Sequence, residues 1–343
     1  MKNIRNILKD NEYLMIIIIF IIAILLIISV PNLDNSFIKA DKLYISEIMP
    51  YNTYTYLDDD NEYSDYIEIY NGYSYEINLK GYHLSDSEFE TSKWTFPSVV
   101  IKPKEYLIVF ASGKDKCDLE SRICHTNFKL SSKGEVLTLT DKSGNIINKF
   151  TFPKTVNDMT YGYTGFKYAK LNEPTPLYKN SGKYKYQKLS NEDIYINEYM
   201  SHNQRNNYDP LGNYSDFVEI YNNSNKNIEL SNIYLSDDIN ELDKYKLPKV
   251  VINKNDYLLV YLGEESLIVD NQITASFKLS DTDKYLVISN GKKIIDKVDL
   301  VKLSDNISYG RKEDRWYYFT KPTPGKANDT VFFESLGGIN ERS

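Results

Sequence analysis

Hydrophobic and polar residues alternate over short runs along most of the chain. In "YIEIY", Ile67 and Ile69 fall on one face of an extended segment, while Tyr66, Glu68 and Tyr70 fall on the other. This period of two is typical of a strand with one buried face. The runs "EYLIVFA", "EVLTLT" and "KYLVIS" have the same β-branched and aromatic character and are bounded by turn residues. The pattern predicts an all-β fold after the first thirty residues.

The alternating runs occur twice along the chain. "SDYIEIYN" begins at Ser64, and "SDFVEIYN" begins at Ser215, which is 151 positions later. "LYISEIM" and "IYINEYM", which begin at Leu43 and Ile194, match at the same offset, and two Pro-Thr-Pro motifs match at an offset of 148. These ordered matches indicate two copies of one domain of about 135 residues. Seven to nine short strands in a unit of that length predict a β-sandwich.

The segment Leu14–Val30 departs from the alternation because it is apolar throughout. Its 17 residues carry no charge and would extend about 25 Å as a helix, which predicts a transmembrane helix. Lys2, Arg5 and Lys9 precede it, so the amino terminus is expected in the cytoplasm and the repeats outside the cell. We expect an uncleaved signal-anchor, because no small-residue cleavage site follows directly; a cleaved signal peptide is the alternative.

These patterns divide the chain into seven parts. The predicted parts are a cytoplasmic amino terminus (1–12), a transmembrane signal-anchor (13–30), a spacer (31–42), the first repeat (43–176), a linker (177–193), the second repeat (194–328) and a tail (329–343). The linker is polar and carries a Ser-Gly pair, and the tail is too short to form a domain.

The chain has two cysteines, Cys117 and Cys124, and both are in the first repeat. Outside the cytoplasm such a pair most naturally forms a disulfide that closes a short loop. Zinc binding with the adjacent His125 lacks a fourth ligand at a suitable spacing. Free thiols are the remaining alternative.

The order of the motifs resembles that of the lamin tail domain. "ISEIM", "DYIEIYN", "INLKGYHLSD", "PKEYLIV", "FKLSSKGEVLTLTD", a Tyr-Gly pair and Pro-Thr-Pro follow one another in the first repeat, and most of them recur in the second. The resemblance implies an immunoglobulin-like sandwich, in agreement with the alternation. It also implies a platform for protein interactions, which in bacterial members is attached to membrane anchors, nucleases or spore-coat kinase-like domains. The abundance of Tyr, Ile, Asn and Lys hints at a bacterial source with AT-rich codons.

Charge and motifs argue against nucleic-acid binding and catalysis. The net charge is −7, and a protein that binds phosphate backbones needs the opposite sign. His83, His125 and His202 have no counterparts in the other repeat, and neither GxSxG nor HExxH occurs. We therefore expect no enzyme activity, no catalytic residues and no cofactor.

Acidic residues offer one weak candidate for a metal site. Asp58, Asp60 and Asp65 belong to an acidic run that is a candidate for binding calcium, but Tyr63 and Ile69 stand where an EF-hand needs glycine and an acid. Glu68 and Glu219 lie on the strand face opposite the core, so we expect them to be solvated or to bond a turn.

Outward-facing aromatic residues suggest a contact surface for a protein or glycan. The candidate interaction residues on this face are Tyr66, Glu68, Tyr70, Phe217, Glu219 and Tyr221. High tyrosine content, 31 residues in all, is the alternative explanation for the aromatic ones.

The favoured hypothesis is a non-enzymatic, membrane-anchored protein outside the cytoplasm that binds a protein or cell-wall partner. Its alternatives are an accessory partner of a separately encoded nuclease or spore-coat kinase-like protein, and a calcium-dependent adhesion module.

Overall fold

The computed structural model describes residues 42–269 and 272–340, and its regular elements are β-strands except for one helix, α1 (Leu336–Asn340). Five helical residues extend about 7 Å, whereas a bilayer core is about 30 Å thick. No helix in this part of the chain is long and apolar enough to cross a membrane. The predicted segment Leu14–Val30 lies outside the described residues. The predicted fold class is therefore corrected: the structure shows two all-β repeats and no transmembrane helix among the residues that it describes.

The first repeat contains thirteen strands, many of them only two or three residues long. They are β1 (Leu43–Met49), β2 (Tyr66–Asn71), β3 (Ile77–Asn78), β4 (His83–Ser85), β5 (Trp94–Thr95), β6 (Val100–Ile101), β7 (Tyr106–Phe110), β8 (Lys116–Asp118), β9 (Ile123–His125), β10 (Gly134–Thr140), β11 (Ile146–Pro153), β12 (Tyr161–Tyr163) and β13 (Tyr168–Lys170).

The second repeat and the residues after it contain fourteen described strands. They are β14 (Ile194–Met200), β15 (Asp216–Asn222), β16 (Ile228–Leu230), β17 (Tyr234–Ser236), β18 (Tyr245–Lys246), β19 (Val250–Ile252), β20 (Tyr257–Leu262), β21 (Leu267–Val269), β22 (Gln272–Ala275), β23 (Tyr285–Ser289), β24 (Ile294–Asp299), β25 (Ser308–Lys312), β26 (Arg315–Phe319) and β27 (Phe332–Phe333).

Each repeat contains three sheets: a large sheet, a four-stranded sheet and a two-stranded ribbon. The first repeat has the sheets β13-β12-β1-β2-β7-β9-β8 and β11-β10-β4-β5 and the ribbon β3-β6. The second has β21-β22-β20-β15-β14-β25-β26-β27, β18-β17-β23-β24 and β16-β19. Each repeat has its own buried apolar cluster between its sheets. This is the sandwich that the alternating runs predict.

The repeated octapeptide forms the centre of each large sheet. In β2, Ile67 and Ile69 enter the core, where Leu107 and Val109 of the neighbouring β7 join the same cluster. Val218 and Ile220 of β15 do the same in the second repeat. Full burial of an aliphatic side chain contributes about 1.5–3 kcal/mol, which explains why these positions keep their apolar character.

A β-bulge shifts the register of the first strand in both repeats. In β1 the shift lies between Ile45 and Glu47, and in β14 it lies between Ile196 and Glu198. A bulge adds one residue to one strand and re-aims the side chains after it. As a result Glu47 pairs directly with Glu68 across the strands.

The predicted linker between the repeats is partly ordered against them. Lys183 forms an isolated bridge with Leu171, and Tyr184 is buried in a cluster with Tyr234 of the second repeat. Both repeats belong to one compact unit. The segment therefore contributes to the contact between the repeats and is not a free spacer.

Candidate functional site

A row of tyrosines crosses the outer face of the large sheet in the first repeat. Tyr44, Tyr70 and Tyr106 are paired directly on the adjacent strands β1, β2 and β7. The ring centroids of Tyr44 and Tyr70 lie 5.5 Å apart, and those of Tyr70 and Tyr106 lie 4.5 Å apart. Tyr163 on β12 lies edge-on to Tyr44 at 5.2 Å. All four side chains are partly exposed. We call Tyr44, Tyr70 and Tyr106 the first ladder.

The second repeat carries the same arrangement at the equivalent positions. Tyr195, Tyr221 and Tyr257 are paired on β14, β15 and β20, and we call them the second ladder. Neighbouring ring centroids lie 5.3 Å and 4.8 Å apart, within the range of favourable aromatic pairs. The guanidinium group of Arg311 lies over Tyr195, 4.5 Å from the ring centroid. The second ladder therefore has a cationic end where the first has Tyr163.

The hydroxyl groups of two ladder residues, Tyr106 and Tyr257, stay protonated at neutral pH. Burial, together with the neighbouring Tyr70, raises the pKa of Tyr106 to about 12, and burial together with Tyr221 raises the pKa of Tyr257 to about 12. Each hydroxyl can therefore donate a hydrogen bond to a bound partner while its ring supplies apolar area.

Beside the first ladder, two carboxylates are sealed beneath a proline-rich cover segment, residues 174–177. The backbone N–H of Thr175 donates to Glu47 Oε1 at 3.0 Å, and the Thr175 hydroxyl donates to Glu47 Oε2 at 2.6 Å. The N–H of Leu177 donates to Glu68 Oε2 at 2.5 Å, and the Ser46 hydroxyl donates to Glu68 Oε1. Both glutamates are fully buried. The pair fastens the end of the repeat onto its first two strands.

The second repeat has an equivalent cover segment, residues 322–325, and we call each glutamate pair with its cover segment a clasp. The N–H of Thr323 donates to Glu198 Oε2 at 3.1 Å, and the N–H of Gly325 donates to Glu219. The side-chain amide of Asn197 donates to Glu219 Oε1 at 2.6 Å. A serine hydroxyl and an asparagine amide therefore occupy equivalent positions in the two clasps, and each donates to the glutamate of the second strand.

The Tyr-Gly pair found in the sequence leaves space for an asparagine that locks the cover segment. Asn180 Nδ2 donates to Ser46 O at 2.7 Å, and Asn328 Nδ2 donates to Arg311 O at 2.7 Å. A Cβ on Gly162 would lie 2.5 Å from Asn180 Nδ2. A Cβ on Gly310 would lie 2.7 Å from Asn328 Nδ2. Glycine is therefore required at both positions by close approach.

Burial changes the protonation of these clasps. It raises the pKa of Glu68 to about 8 and that of Glu219 to about 8, and the neighbouring Glu47 and Glu198 add to the effect in their respective repeats. Burial also raises the pKa of Glu47 and of Glu198. Glu68 and Glu219 are thus mostly protonated at neutral pH, which removes the repulsion between paired carboxylates.

Four residues of the predicted interaction surface are not on the surface. The buried ones are Tyr66, Glu68, Phe217 and Glu219. The prediction was wrong for them because the cover segments lie over the glutamates and because the aromatic residues pack in small apolar clusters on this face, Tyr66 with Phe110 and Phe217 with Tyr261. Tyr66 donates its hydroxyl to Glu47 Oε1 at 2.6 Å. Tyr70 and Tyr221 remain partly exposed, as the central members of the two ladders.

The acidic loop of the first repeat is neutralised by lysines. Asp58 and Asp60 lie near Asp59 and His125, and one ligand atom from each of the four residues lies within 4.8 Å of the others. The Lys114 ammonium lies 2.8 Å from an Asp58 oxygen and 2.5 Å from an Asp60 oxygen. Asp58 also accepts bonds that shape its own loop, including the N–H groups of residues 60 and 62.

The third calcium candidate, Asp65, lies apart from this cluster. Its carboxylate accepts the N–H of Asn52 at 3.3 Å, and burial raises its pKa to about 7. The predicted trio is therefore corrected: the fold groups Asp58 and Asp60 with Asp59 and His125, whereas Asp65 accepts a bond from Asn52 at the start of the same β1–β2 connection.

Cys117 and Cys124 form a disulfide across the paired strands β8 and β9. β8 is an edge strand of the large sheet, and β9 lies between it and β7. The bridge therefore links the two strands of a short hairpin in the first repeat. The second repeat has no cysteines at the equivalent positions.

The two repeats contact each other through a polar and aromatic interface. Asn157 and Lys246 exchange two hydrogen bonds, from the amide Nδ2 to the Lys246 carbonyl and from the Lys246 N–H to Oδ1, each 2.8 Å long. The hydroxyl groups of Tyr184 and Tyr234 lie 2.7 Å apart. All three bonds are buried, so they fix the orientation of one repeat on the other.

Sequence reasoning missed four of the six ladder residues. Tyr44 and Tyr195, like Tyr106 and Tyr257, match at the offset of 151 that relates the octapeptides. A comparison of tyrosines at this offset on neighbouring strands would have found the ladders. The interface residues had no such signal, because the equivalent of Lys246 in the first repeat is Thr95.

Comparison with known families agrees with the two-repeat architecture. The family model described as Lamin Tail Domain matches residues 38–154 and 187–304, which together make up more than half of the chain. Domains of this family are immunoglobulin-like and non-catalytic. Both matches end before the cover segments, although the hydrogen bonds to Glu47 and Glu198 make those segments part of each fold. The comparison with curated proteins finds no match.

Proposed function

Because the chain belongs to the lamin tail domain family, we propose that it is a non-catalytic binding protein that holds a protein partner against its two tyrosine ladders. The family supports a binding or structural role in general. The ladders supply the specific surface, since tyrosine is enriched where partners bind and offers both apolar area and a hydrogen-bond donor.

The observation that carries this proposal is the repetition of the ladder. The same three strand positions are tyrosine in both repeats, and all six side chains are partly exposed. A high tyrosine content alone does not require rings to stack on the same three neighbouring strands twice. Core packing does not require this stacking either, because the core of each sandwich lies on the opposite face of the sheet.

The proposed location is outside the cytoplasm. The support is the disulfide between Cys117 and Cys124, since disulfides persist mainly in oxidising compartments. Protease treatment of intact cells tests the location. We expect both repeats to be degraded, and their protection until the cells are lysed would contradict it.

A cross-linking pull-down tests the binding surface. The bait is the full chain, compared with a double variant, Tyr70→Ser with Tyr221→Ser, that removes the central ring of each ladder. The control is Tyr178→Ser with Tyr208→Ser, because these side chains are 74% and 64% exposed and lie outside the ladders. Each variant is first shown to melt as a folded protein.

The expected result is a defined protein that the wild type and the control capture and that the ladder variant loses. Equal capture by all three baits would reject the ladders as the binding surface. Capture of cell-wall glycan alone, with loss in the ladder variant, would keep the surface but reject a protein as the partner.

A further inference from the structure

The contact between the two repeats joins two different faces of the same kind of domain. The first repeat contributes residues 156–159 and Tyr184, and the second contributes Tyr234 and Lys246. All of these residues are buried. A cavity of about 200 Å³ remains between the repeats, with Tyr54 on its wall. We call the surface around residues 156–159 face A and the surface around Lys246 face B.

Duplication gives each repeat both faces, so the contact within the chain leaves one face A and one face B unused. Residues 304–307 of the second repeat stand at the positions of residues 156–159 and are exposed or partly exposed. His83 and Thr95 of the first repeat stand at the positions that form face B of the second, and they are not buried either. We call these surfaces the free face A and the free face B.

The free face A has the same backbone arrangement as the face A that is used within the chain. The N–H of Asp158 donates to Tyr51 O at 2.7 Å, and the N–H of Asn306 donates to His202 O at 2.8 Å. Both donors have positive φ, 50° for Asp158 and 60° for Asn306. The loop that presents face A is therefore built in the same way in both repeats.

The loop beside face B is also built in the same way in both repeats. Lys93 forms an ion pair with Asp86 at 2.7 Å, and Lys244 forms one with Asp237 at 2.5 Å. Both pairs span seven positions and match at the offset of 151. Residues inside the two loops can therefore be compared position by position.

The ion pair of the contact within the chain has counterparts on the two free faces. Lys154, beside face A of the first repeat, forms an ion pair with Glu241, beside face B of the second. Lys302 and Glu90 occupy the equivalent positions on the free faces. The Lys302 side chain is 81% exposed and lies 3.7 Å from an Asp281 oxygen, and Glu90 is exposed and has no ion pair among the described residues. The free faces are therefore charge-complementary at this point.

A second pair of opposite charges replaces a polar contact between the repeats. The Ser266 and Thr53 hydroxyl oxygens lie 3.4 Å apart. At the position of Thr53, the second repeat has Gln204, which is followed by the exposed Arg205. At the position of Ser266, the first repeat has the exposed Asp115. The free faces thus carry a cation and an anion where the contact within the chain carries two hydroxyl groups.

An aromatic side chain recurs on the free face A. The N–H of Tyr184 donates to Lys170 O at 3.1 Å, and Phe333 is paired with Tyr318, which stands at the position of Lys170. Tyr184 meets a tyrosine of face B. Phe333 would meet the imidazole ring of His83 at the same point of the free face B, so ring packing is retained.

Two replacements make the free faces less sticky than the buried ones. Ser304 stands at the position of Val156, and Asp305 stands at the position of Asn157. A carboxylate can accept from the N–H of Thr95 but cannot donate to its carbonyl, as the Asn157 amide does within the chain. A contact between the free faces is therefore expected to be weaker than the internal contact and reversible.

We propose that the free face A of one copy binds the free face B of a second copy, in the arrangement that the two repeats have within one chain. Because the two faces differ, each contact leaves a free face at both ends, and copies add in an open row. Both tyrosine ladders stay partly exposed although each repeat uses one face within the chain, so they stay available in the row. The proposal does not depend on what the ladders bind.

Sedimentation velocity of the full chain at increasing concentration tests the proposal. We expect the mass to rise from that of one copy in steps of one copy. Lys302→Glu and Glu90→Lys each bring like charges together and should weaken association about three- to tenfold. The controls, Lys254→Glu and Glu76→Lys, change exposed charges outside both faces and should associate like the wild type. A single-copy mass up to about 0.1 mM, or equal association of the face variants and the wild type, would overturn the proposal.

A mixture of the two face variants separates a specific contact from a general effect of charge. Each variant carries the charge that the other has lost, so alternating copies restore opposite charges at every contact. The equimolar mixture of Lys302→Glu and Glu90→Lys chains, and the double variant, should both associate like the wild type. If neither regains association, the pairing of these two positions is wrong.

Carbodiimide cross-linking of the wild type gives a readout that needs no variant. The reagent joins an amine to a carboxylate that it contacts, and a mixture of ¹⁴N- and ¹⁵N-labelled chains distinguishes links between copies from links within one. We expect a mixed-isotope link between Lys302 and Glu90, and a single-isotope link between Lys154 and Glu241. Recovery of the second link without the first would overturn the proposal.

Discussion

Replacing Glu68 and Glu219 by glutamine should make the protein more stable than the wild type at pH 8, and this advantage should shrink steadily toward pH 5. Glutamine resembles the protonated acid, keeps a carbonyl oxygen for the N–H of Leu177 or Gly325, and carries no charge. The Ser46 hydroxyl can rotate to accept from the new amide, and the Asn197 amide can turn over to do the same.

The expected magnitude follows from the raised pKa values. Both glutamates have a pKa of about 8 in the folded protein, against an ordinary value of 4.5. The folded state therefore binds the proton more tightly than the unfolded state. The stabilisation is complete below pH 4.5 and is lost as the pH rises through 8. At 1.36 kcal/mol per pH unit, the contribution of each glutamate to the free energy of unfolding falls by about 3 kcal/mol between pH 4.5 and pH 7.

Urea unfolding of the full chain at several pH values between 5 and 8 provides the assay. The difference between wild type and variant isolates the two glutamates from Asp65 and Asp216, whose pKa values burial raises to about 7 in both proteins. The control is Glu76→Gln with Glu192→Gln, since these side chains are exposed. An equal loss of stability with pH in the wild type and in the Glu68→Gln, Glu219→Gln variant would refute the buried-clasp reasoning.

Three further predictions concern packing, the interface and metal. Gly310→Ala should lower the free energy of unfolding by about 1–3 kcal/mol, because its Cβ would displace the Asn328 amide, and unchanged urea unfolding would contradict the close approach. Asn157→Ala should cost about 2–4 kcal/mol, because it leaves two buried backbone groups of Lys246 unpaired; we expect the unfolding transition to separate into two, and a single unshifted transition would argue against the interface. Adding a chelator should leave the melting midpoint unchanged, since Lys114 and Lys116 already form ion pairs with the aspartates of the acidic loop, and a clear drop would indicate bound calcium.

The burial of the glutamates shows where sequence reasoning about single strands stops. Alternation places Glu68 on the face opposite Ile67 and Ile69, and it does lie there. Whether that face meets water depends on a segment more than a hundred positions away, which places Leu177 against its carboxylate. A bulge, which alternation does not reveal, brings Glu47 opposite the same side chain.

The sequence alone determined that two similar β-sandwiches follow one another, because burial of one strand face imposes a period of two and duplication repeats it at a fixed offset. It also contained the tyrosines at matching positions. The tertiary structure alone decided which outward residues are covered, how Asn157 bonds to Lys246, and that a cavity lies between the two repeats. Those contacts join residues that are distant in the chain, and their formation depends on the complete packed surface and not on any local pattern.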